Sequence, residues 1–165
     1  MWTVIKFNKK YFSLLKNQLK KKIGNDIIFY YPKTVYQFYK NCKITNKEVG
    51  LLDDYVLCFH KEFQKENAIK ECSNTIGLQY FLKEHNTYQN EIIDFIEKCK
   101  NLENENGHIS ENIFDIKLNN NYKFFSGPFT NLIFKIIEIQ KNKIKILIGN
   151  IETIVKKKEY CFKPI

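Results

Sequence analysis

The apolar positions of this chain fall into short strand-like runs and helical stripes that alternate along its first hundred residues. Trp2 to Phe7 reads as a strand. Phe12, Leu15, Leu19 and Ile23 recur at helical spacing; Asn8 is placed to cap that helix and Gly24 to stop it. Ile27 to Gln37 is rich in β-formers, with Pro32 marking an edge or a bend. Lys40 to Gly50 is polar and predicts a protruding hairpin or loop, and Leu51 to Phe59 predicts a strong strand. A short helix over Gln64 to Cys72 and a strand over Leu78 to Leu82 follow. Asn86, three residues before Gln89, has the spacing of a capping box for a helix to Lys100, with Ile92, Ile93, Ile96 and Cys99 as its stripe. The order βαββαβα predicts an antiparallel sheet with packed helices, an α+β domain over residues 1–100.

The pattern then changes twice. Residues 101–121 (NLENENGHISENIFDIKLNNN) are Asn- and Glu-rich with weak periodicity and read as a linker, although Ile109, Ile113, Phe114 and Ile116 give it apolar points that can dock. From Tyr122 to Ile165 a Gly127-Pro128-Phe129 turn leads into two apolar runs separated by Gln140-Lys141-Asn142-Lys143. Ten isoleucines follow Leu132. Branching at Cβ disfavours helix and suits a pleated, half-buried surface. Short strands with polar turns at close spacing predict a small SH3-like β-barrel over 122–165, with little room for an enclosed active site.

Charge narrows the function classes. The net charge is +9, and every cation is lysine. Residues 101–121 carry one Lys against four acids, whereas residues 122–165 carry nine against three. Lysine acts as a mobile point charge, whereas forked contacts to guanine or phosphate favour arginine. Any nucleic-acid contact is therefore expected to be electrostatic and backbone-directed. The five cysteines, at 42, 58, 72, 99 and 161, form no CxxC pair, so neither a metal site nor a disulfide framework is expected; Cys58 and Cys72 read as small core residues. No run approaches the ~20 apolar residues of a membrane span, and the start lacks the form of a signal peptide. A cytoplasmic monomer without cofactor is the expectation. No catalytic constellation stands out. His60, His85 and His108 lie in separate segments, His60 reading as a surface or satisfied histidine. Asp53 and Asp54 are neighbours in a predicted strand and point to opposite faces. No glycine spacing would cradle a phosphate.

Taken in order, several short motifs resemble the NusG family of transcription elongation factors. Trp2-Thr3-Val4-Ile5 is similar to the family's opening W-Y-V-V strand. Leu51-Leu52-Asp53-Asp54-Tyr55-Val56-Leu57 is similar to its L-F-P-G-Y-V-F signature, and Gly77 to Leu82 to its G-V-x-x-F-L strand. Tyr31-Pro32 and the helix after Asn86 stand where the family has a proline and its last N-terminal helix, and Gly127-Pro128-Phe129 matches the G-P-F that opens its KOW barrel. The chain departs from the pattern where Asp53-Asp54 replaces Pro-Gly and where Phe134 replaces a glycine, which points to a divergent paralogue of NusG or RfaH type.

The resemblance implies an NGN-like domain that docks on the clamp of RNA polymerase and a KOW domain that recruits a second protein, ribosomal protein S10 or Rho. It implies suppression of pausing or termination and no enzymatic activity. Tyr55, with Leu52 beside it, is the implied docking anchor; a tyrosine offers apolar area with a polar tip. A core strand is the competing reading of Leu51 to Phe59. Lys20, Lys21 and Lys22, and Lys40, Lys43 and Lys47 flanked by Tyr36 and Tyr39, are candidates for proximity to non-template DNA or nascent RNA. Phe129 is the candidate partner contact of the barrel, with a core role as its alternative. KOW barrels also occur in ribosomal proteins, so an RNA- or ribosome-associated binding module is the alternative function.

Overall fold

The computed structural model describes residues 1–40, 43–109 and 112–165, with the side chains of 37–40 and 44 outside the description. In chain order the strands are β1 (Trp2–Phe7), β2 (Ile28–Tyr30), β3 (Lys33–Lys40), β4 (Lys43–Gly50), β5 (Tyr55–Phe59), β6 (Leu78–Phe81), β7 (His108–Ile109), β8 (Asn121–Phe124), β9 (Ile133–Ile139), β10 (Lys143–Ile148), β11 (Ile151–Lys156) and β12 (Phe162–Pro164). The helices are α1 (Phe12–Ile23), α2 (Glu66–Ser73) and α3 (Gln89–Asn101). The protein is α+β. It divides into two compact units, one of Met1–Pro32 and Gly50–Lys100, the other of Lys33–Val49 and Asn101–Ile165.

The first unit is built on a four-stranded antiparallel sheet in the order β2-β5-β1-β6. Strict alternation along β1 sends Thr3, Ile5 and Phe7 to one face and Trp2, Val4 and Lys6 to the other. Ile5, Phe7, Val56 and Cys58 meet Leu15 and Leu19 of α1, together with Phe63 and Cys72. The stripe read from the sequence is the buried face of α1: each leucine is fully enclosed, and such burial contributes about 1.5–3 kcal/mol. Asn8 caps a 3₁₀ turn (Lys9–Tyr11) that precedes α1, accepting from the Lys10 amide at 3.0 Å. His60 is buried and fully partnered: Nε2 lies 2.9 Å from Asp26 Oδ1, and Nδ1 accepts from the Glu62 amide at 3.2 Å.

Two expectations for this unit need correction. Leu51 to Phe59 is not one strand; β5 begins at Tyr55, and residues 51–54 form a turn in which Asp53 takes a left-handed φ of 53°. The apolar Leu51 and Leu52 imitate strand, yet Leu51 is buried from within the turn. Gln89 does not serve as the return arm of a capping box. Its Oε1 accepts from the Trp2 amide at 3.0 Å, and its Nε2 donates to the carbonyls of Trp2 at 2.7 Å and His85 at 2.6 Å. The side chain thus extends the hydrogen-bond ladder of β1 beyond the reach of β6.

The second unit holds two sheets. One has the order β4-β3-β7, with β7 parallel to β3 in the register Lys33↔His108 and Thr34↔Ile109. The other has five antiparallel strands in the order β11-β10-β9-β8-β12. Its core gathers Tyr122, Phe124, Phe134, Ile136, Ile144, Ile146, Val155 and Phe162. Phe134, at the position where the family pattern has glycine, stacks on Phe124 at 4.2 Å between ring centroids. Gly127 has φ 76°, and a Cβ there would lie 2.4 Å from Tyr160 Cδ1, so both backbone and space require glycine.

Segment 101–121, expected as a linker, carries contacts of its own. Thr34 Oγ1 donates to the Ile109 carbonyl at 2.8 Å, and Ile109 and Ile113 are buried. Asn112 Nδ2 donates to the carbonyls of Lys157 and Tyr160, and its Oδ1 accepts from the Phe162 amide at 2.8 Å. The Tyr122 hydroxyl accepts from the Lys117 amide at 2.8 Å and donates to the Asp115 carbonyl at 3.1 Å.

Candidate functional site

Tyr55 sits at the start of β5 because a short turn delivers it there. Asp53 N donates to the Gly50 carbonyl and Tyr55 N to the Leu52 carbonyl, while Leu51 N reaches the Pro32 carbonyl at 2.8 Å. The Asp54 carbonyl accepts from Phe7 N at 2.9 Å, which joins the turn to β1. Leu52, the second residue carried over from the resemblance, is half-buried within this turn. The Asp53-Asp54 pair does not converge. Asp53 lies exposed at the tip, whereas Asp54 Oδ2 faces Lys6 Nζ at 3.8 Å.

Tyr55 is neither sealed inside nor alone. The register pairs Lys6 of β1 with Tyr55 on one side and with Tyr80 of β6 on the other, so the three side chains form a row across β5, β1 and β6. All three belong to the face opposite Ile5, Phe7 and Val56. The Tyr55 and Tyr80 hydroxyls lie 2.9 Å apart. Lys6 Nζ stands 5.4 Å and 5.8 Å from the two ring centroids, within cation–π range. The Lys6 ammonium is held above its ordinary value chiefly by the Asp54 carboxylate, with both phenols adding to it. The Tyr80 phenol is raised, first by its hydrogen bond to Tyr55 and then by desolvation.

Only part of this outer face is covered. Gln89, at the start of α3, is bonded to the Trp2 backbone, and Lys100, near its end, lies over the Tyr30 ring at 5.8 Å. Leu57, which points the same way as Tyr55, is 2% exposed, and Ile96 and Cys99 of α3 are buried. The Tyr55–Lys6–Tyr80 end remains open, with Tyr80 44% exposed. Leu82, also 44% exposed, continues the edge by donating its amide to the Val4 carbonyl. Sequence reading singled out Tyr55 but not Lys6 or Tyr80. Alternation in WTVIKF sets Lys6 apart from its inward-facing neighbours, but LQYF gives no such signal: Leu78 and Phe81 both turn to the core, and Tyr80 faces outward only through the register shift between Lys6 and Phe7.

The lysine candidates divide between the units. Lys20, Lys21 and Lys22 are exposed in the last turn of α1, where cations suit the helix dipole. Lys22 Nζ is engaged on the Glu71 carbonyl at 2.7 Å. Lys20 and Lys21 border an open depression of about 380 Å³ shared with Leu14, Asn17, Gln18 and Asn25. Lys43 and Lys47 are exposed on β4, in the second unit; the Lys40 and Tyr39 side chains lie outside the described residues. The Tyr36 hydroxyl is bonded to Asn131 Oδ1. Beside these lysines, Glu48 bridges three strands, with Oε1 2.7 Å from Lys33 Nζ and Oε2 2.7 Å from His108 Nε2. Its carboxyl is held below the ordinary range by Lys33 first and His108 second.

Phe129 is half-buried, its ring 5.6 Å from Phe124 and 5.5 Å from Tyr160, so it closes one margin of the C-terminal core. Among the described residues no group of three His, Cys, Asp or Glu side chains could hold a metal ion, and no helix is long and apolar enough to cross a membrane. Cys58 is buried, and desolvation pushes its thiol well above the usual range.

No protein-family model matches the chain, and no curated protein matches it. Among solved structures it is similar to a chain in the crystal structure of the MjSpt4:Spt5 complex in conformation B, at 13% identity over 100% of this chain and 97% of that one, with a TM-score of 0.33. It is also similar to Thermotoga maritima NusG, in a structure concerned with domain interaction, at 17% identity over 94% of this chain and 91% of that one, with a TM-score of 0.32.

Proposed function

We propose that this protein is a transcription elongation or antitermination factor of the NusG type. It docks on the RNA polymerase clamp through the outer sheet face of its first unit, suppresses pausing or termination, and recruits a second protein through its C-terminal sheet. The observation that carries the reading is the open row of Tyr55, Lys6 and Tyr80. Two amphipathic rings with a cation between them suit an apolar helical surface bearing carboxylates. Leu52 in the adjoining turn and Leu82 on the adjoining edge enlarge the apolar part. Phe129 and its surroundings are the proposed contact for ribosomal protein S10 or Rho, and Lys20, Lys21, Lys22, Lys40, Lys43 and Lys47 would lie toward non-template DNA or nascent RNA. The chemistry is binding throughout and needs no cofactor.

The test is direct. Pause lifetimes of the cognate polymerase are measured with and without the protein, alongside its affinity for the isolated clamp helices. Shorter pauses and clamp binding that both vanish in Tyr55→Ala support the reading; unchanged pausing with no clamp binding rejects it.

A further inference from the structure

We infer that the C-terminal sheet carries a second binding site, on its outward side, for the phosphate backbone of double-stranded DNA. The starting point is the register of β10 and β11, which sets Lys143 directly opposite Lys156. Both side chains are exposed and face away from the Ile144–Val155 pair of the core. Like charges directly opposed across an antiparallel pair destabilise it.

The acids of this region do not relieve this pair. Among the described residues, Glu152 is bonded to Lys145 Nζ, Glu138 accepts from Gln140 Nε2 at 2.9 Å, and Glu159 accepts from the Tyr160 hydroxyl at 3.2 Å. The backbone concentrates the charge further. Lys157 N donates to the Asn142 carbonyl at 3.0 Å, so the β9–β10 turn bearing Lys141 adjoins the turn bearing Lys157 and Lys158. Five lysines thus gather at one end of the β10–β11 ribbon, an arrangement that an array of phosphates would stabilise.

The same surface selects among anions. By the strand registers, no outward-facing side chain of β8 to β12 is aromatic, and the chain has no arginine. Single strands are held in large part by stacking bases on rings, which this face cannot do. A duplex presents stacked bases inside and one phosphate charge per ~1.7 Å of axis outside, which lysines meet without reading sequence. The choice of DNA over RNA rests on the proposed polymerase role, since a transcribing enzyme has duplex DNA on both sides of its bubble. The site itself rests on the lysine geometry.

The experiment is fluorescence anisotropy of the full-length protein with a labelled 25-base-pair DNA duplex, the matching single strand and the matching RNA duplex, across a salt series. In Lys143→Gln/Lys156→Gln the affinity for the DNA duplex falls about ten-fold, and the slope of log affinity against log salt shrinks by about two. A Lys9→Gln/Lys10→Gln control changes affinity less than about two-fold, by the same counting of phosphate contacts. Lys156→Glu gives the complementary result: DNA affinity drops while the unfolding midpoint rises, because it places an opposite charge across from Lys143. Clamp-helix affinity, measured on the same double variant, stays at the wild-type value, and DNA binding by a protein that fails to bind the clamp supports the site while rejecting the polymerase role. Unchanged duplex affinity in the double variant, an equal loss in the control, or tighter binding to the single strand or the RNA duplex overturns the inference.

Discussion

The phenol of Tyr31 crosses the backbone at Gly50 so closely that a Cβ there would meet the Tyr31 hydroxyl oxygen at 2.0 Å and Cζ at 2.1 Å. The hydroxyl passes on to donate to the Asp53 carbonyl at 2.6 Å, while the ring stands edge-on to Phe7 and tilted against Phe12. One aromatic side chain thus connects the core of the first unit to the turn that presents Tyr55. Gly50→Ala must displace either ring or turn, and overpacking of this kind costs about 1–3 kcal/mol. Tyr31→Phe removes only the hydrogen bond, worth about 1 kcal/mol. Denaturant unfolding of the two variants measures both; a Gly50→Ala midpoint equal to wild type would contradict the close approach.

Tyr55→Ala and Tyr80→Ala are expected to weaken binding to the clamp helices by about thirty-fold each, the size of a hot-spot loss near 2 kcal/mol. Lys6→Gln is expected to cost less and to reduce the salt dependence of binding, since its charge acts at the margin of the contact. Isothermal titration with purified clamp helices gives these values, and circular dichroism checks that each variant is folded. Full affinity in Tyr55→Ala would remove the row from the interface.

Acid should loosen the protein at two named pairs. The Asp26 carboxyl is held below its ordinary value, first by its hydrogen bond to His60, and the Glu48 carboxyl by Lys33 and then His108. A carboxyl depressed in the folded state contributes stability that is fully present above its unfolded pKa and is lost as pH falls through the folded value. The unfolding midpoint is therefore expected to hold near neutrality and to decline from the ordinary carboxylate values, about 4, downward. Asp26→Asn and Glu48→Gln should each flatten that decline; a parallel pH profile in either variant would exclude its pair as a contributor.

Asn112→Ala removes three hydrogen bonds between the segment after β7 and the C-terminal sheet. It leaves the Phe162 amide and two carbonyls to find water, at a cost of about 1–3 kcal/mol. Hydrogen exchange at the Phe162 amide should accelerate by about ten-fold or more, in line with that loss. Exchange at the wild-type rate would mean that the asparagine does not hold the segment.

Where local pattern decides structure, the elements were readable. The Phe12–Leu15–Leu19–Ile23 stripe, the Trp2–Phe7 strand and the isoleucine-rich runs of β9 and β10 follow from periodicity and branching at Cβ, which act within a few residues. What escaped depends on distant partners. Gln89 has the spacing of a capping residue, yet its amide group is taken by Trp2, 87 positions away in the chain. Leu51 and Leu52 have strand-like side chains, but the Pro32 carbonyl and the Tyr31 ring hold them in a turn. The candidate site was legible in the same degree: Tyr55 stood within a recognisable motif, whereas Lys6 and Tyr80 became its neighbours only through the register of three strands.

The parallel pairing of β3 with β7 also has a consequence for how the chain is made. Thr34 and Ile109 meet across 75 residues, so at 5–20 residues per second β3 leaves the ribosome roughly 4–15 s before its partner exists. During that interval the edge destined for β7 is an open template on which another nascent chain could zip. Lys33 and Lys40 lie on β3, and Lys43 and Lys47 on its neighbour β4; lysine is a common guard on such edges. These charges would therefore keep polysome neighbours apart before they take part in any mature contact.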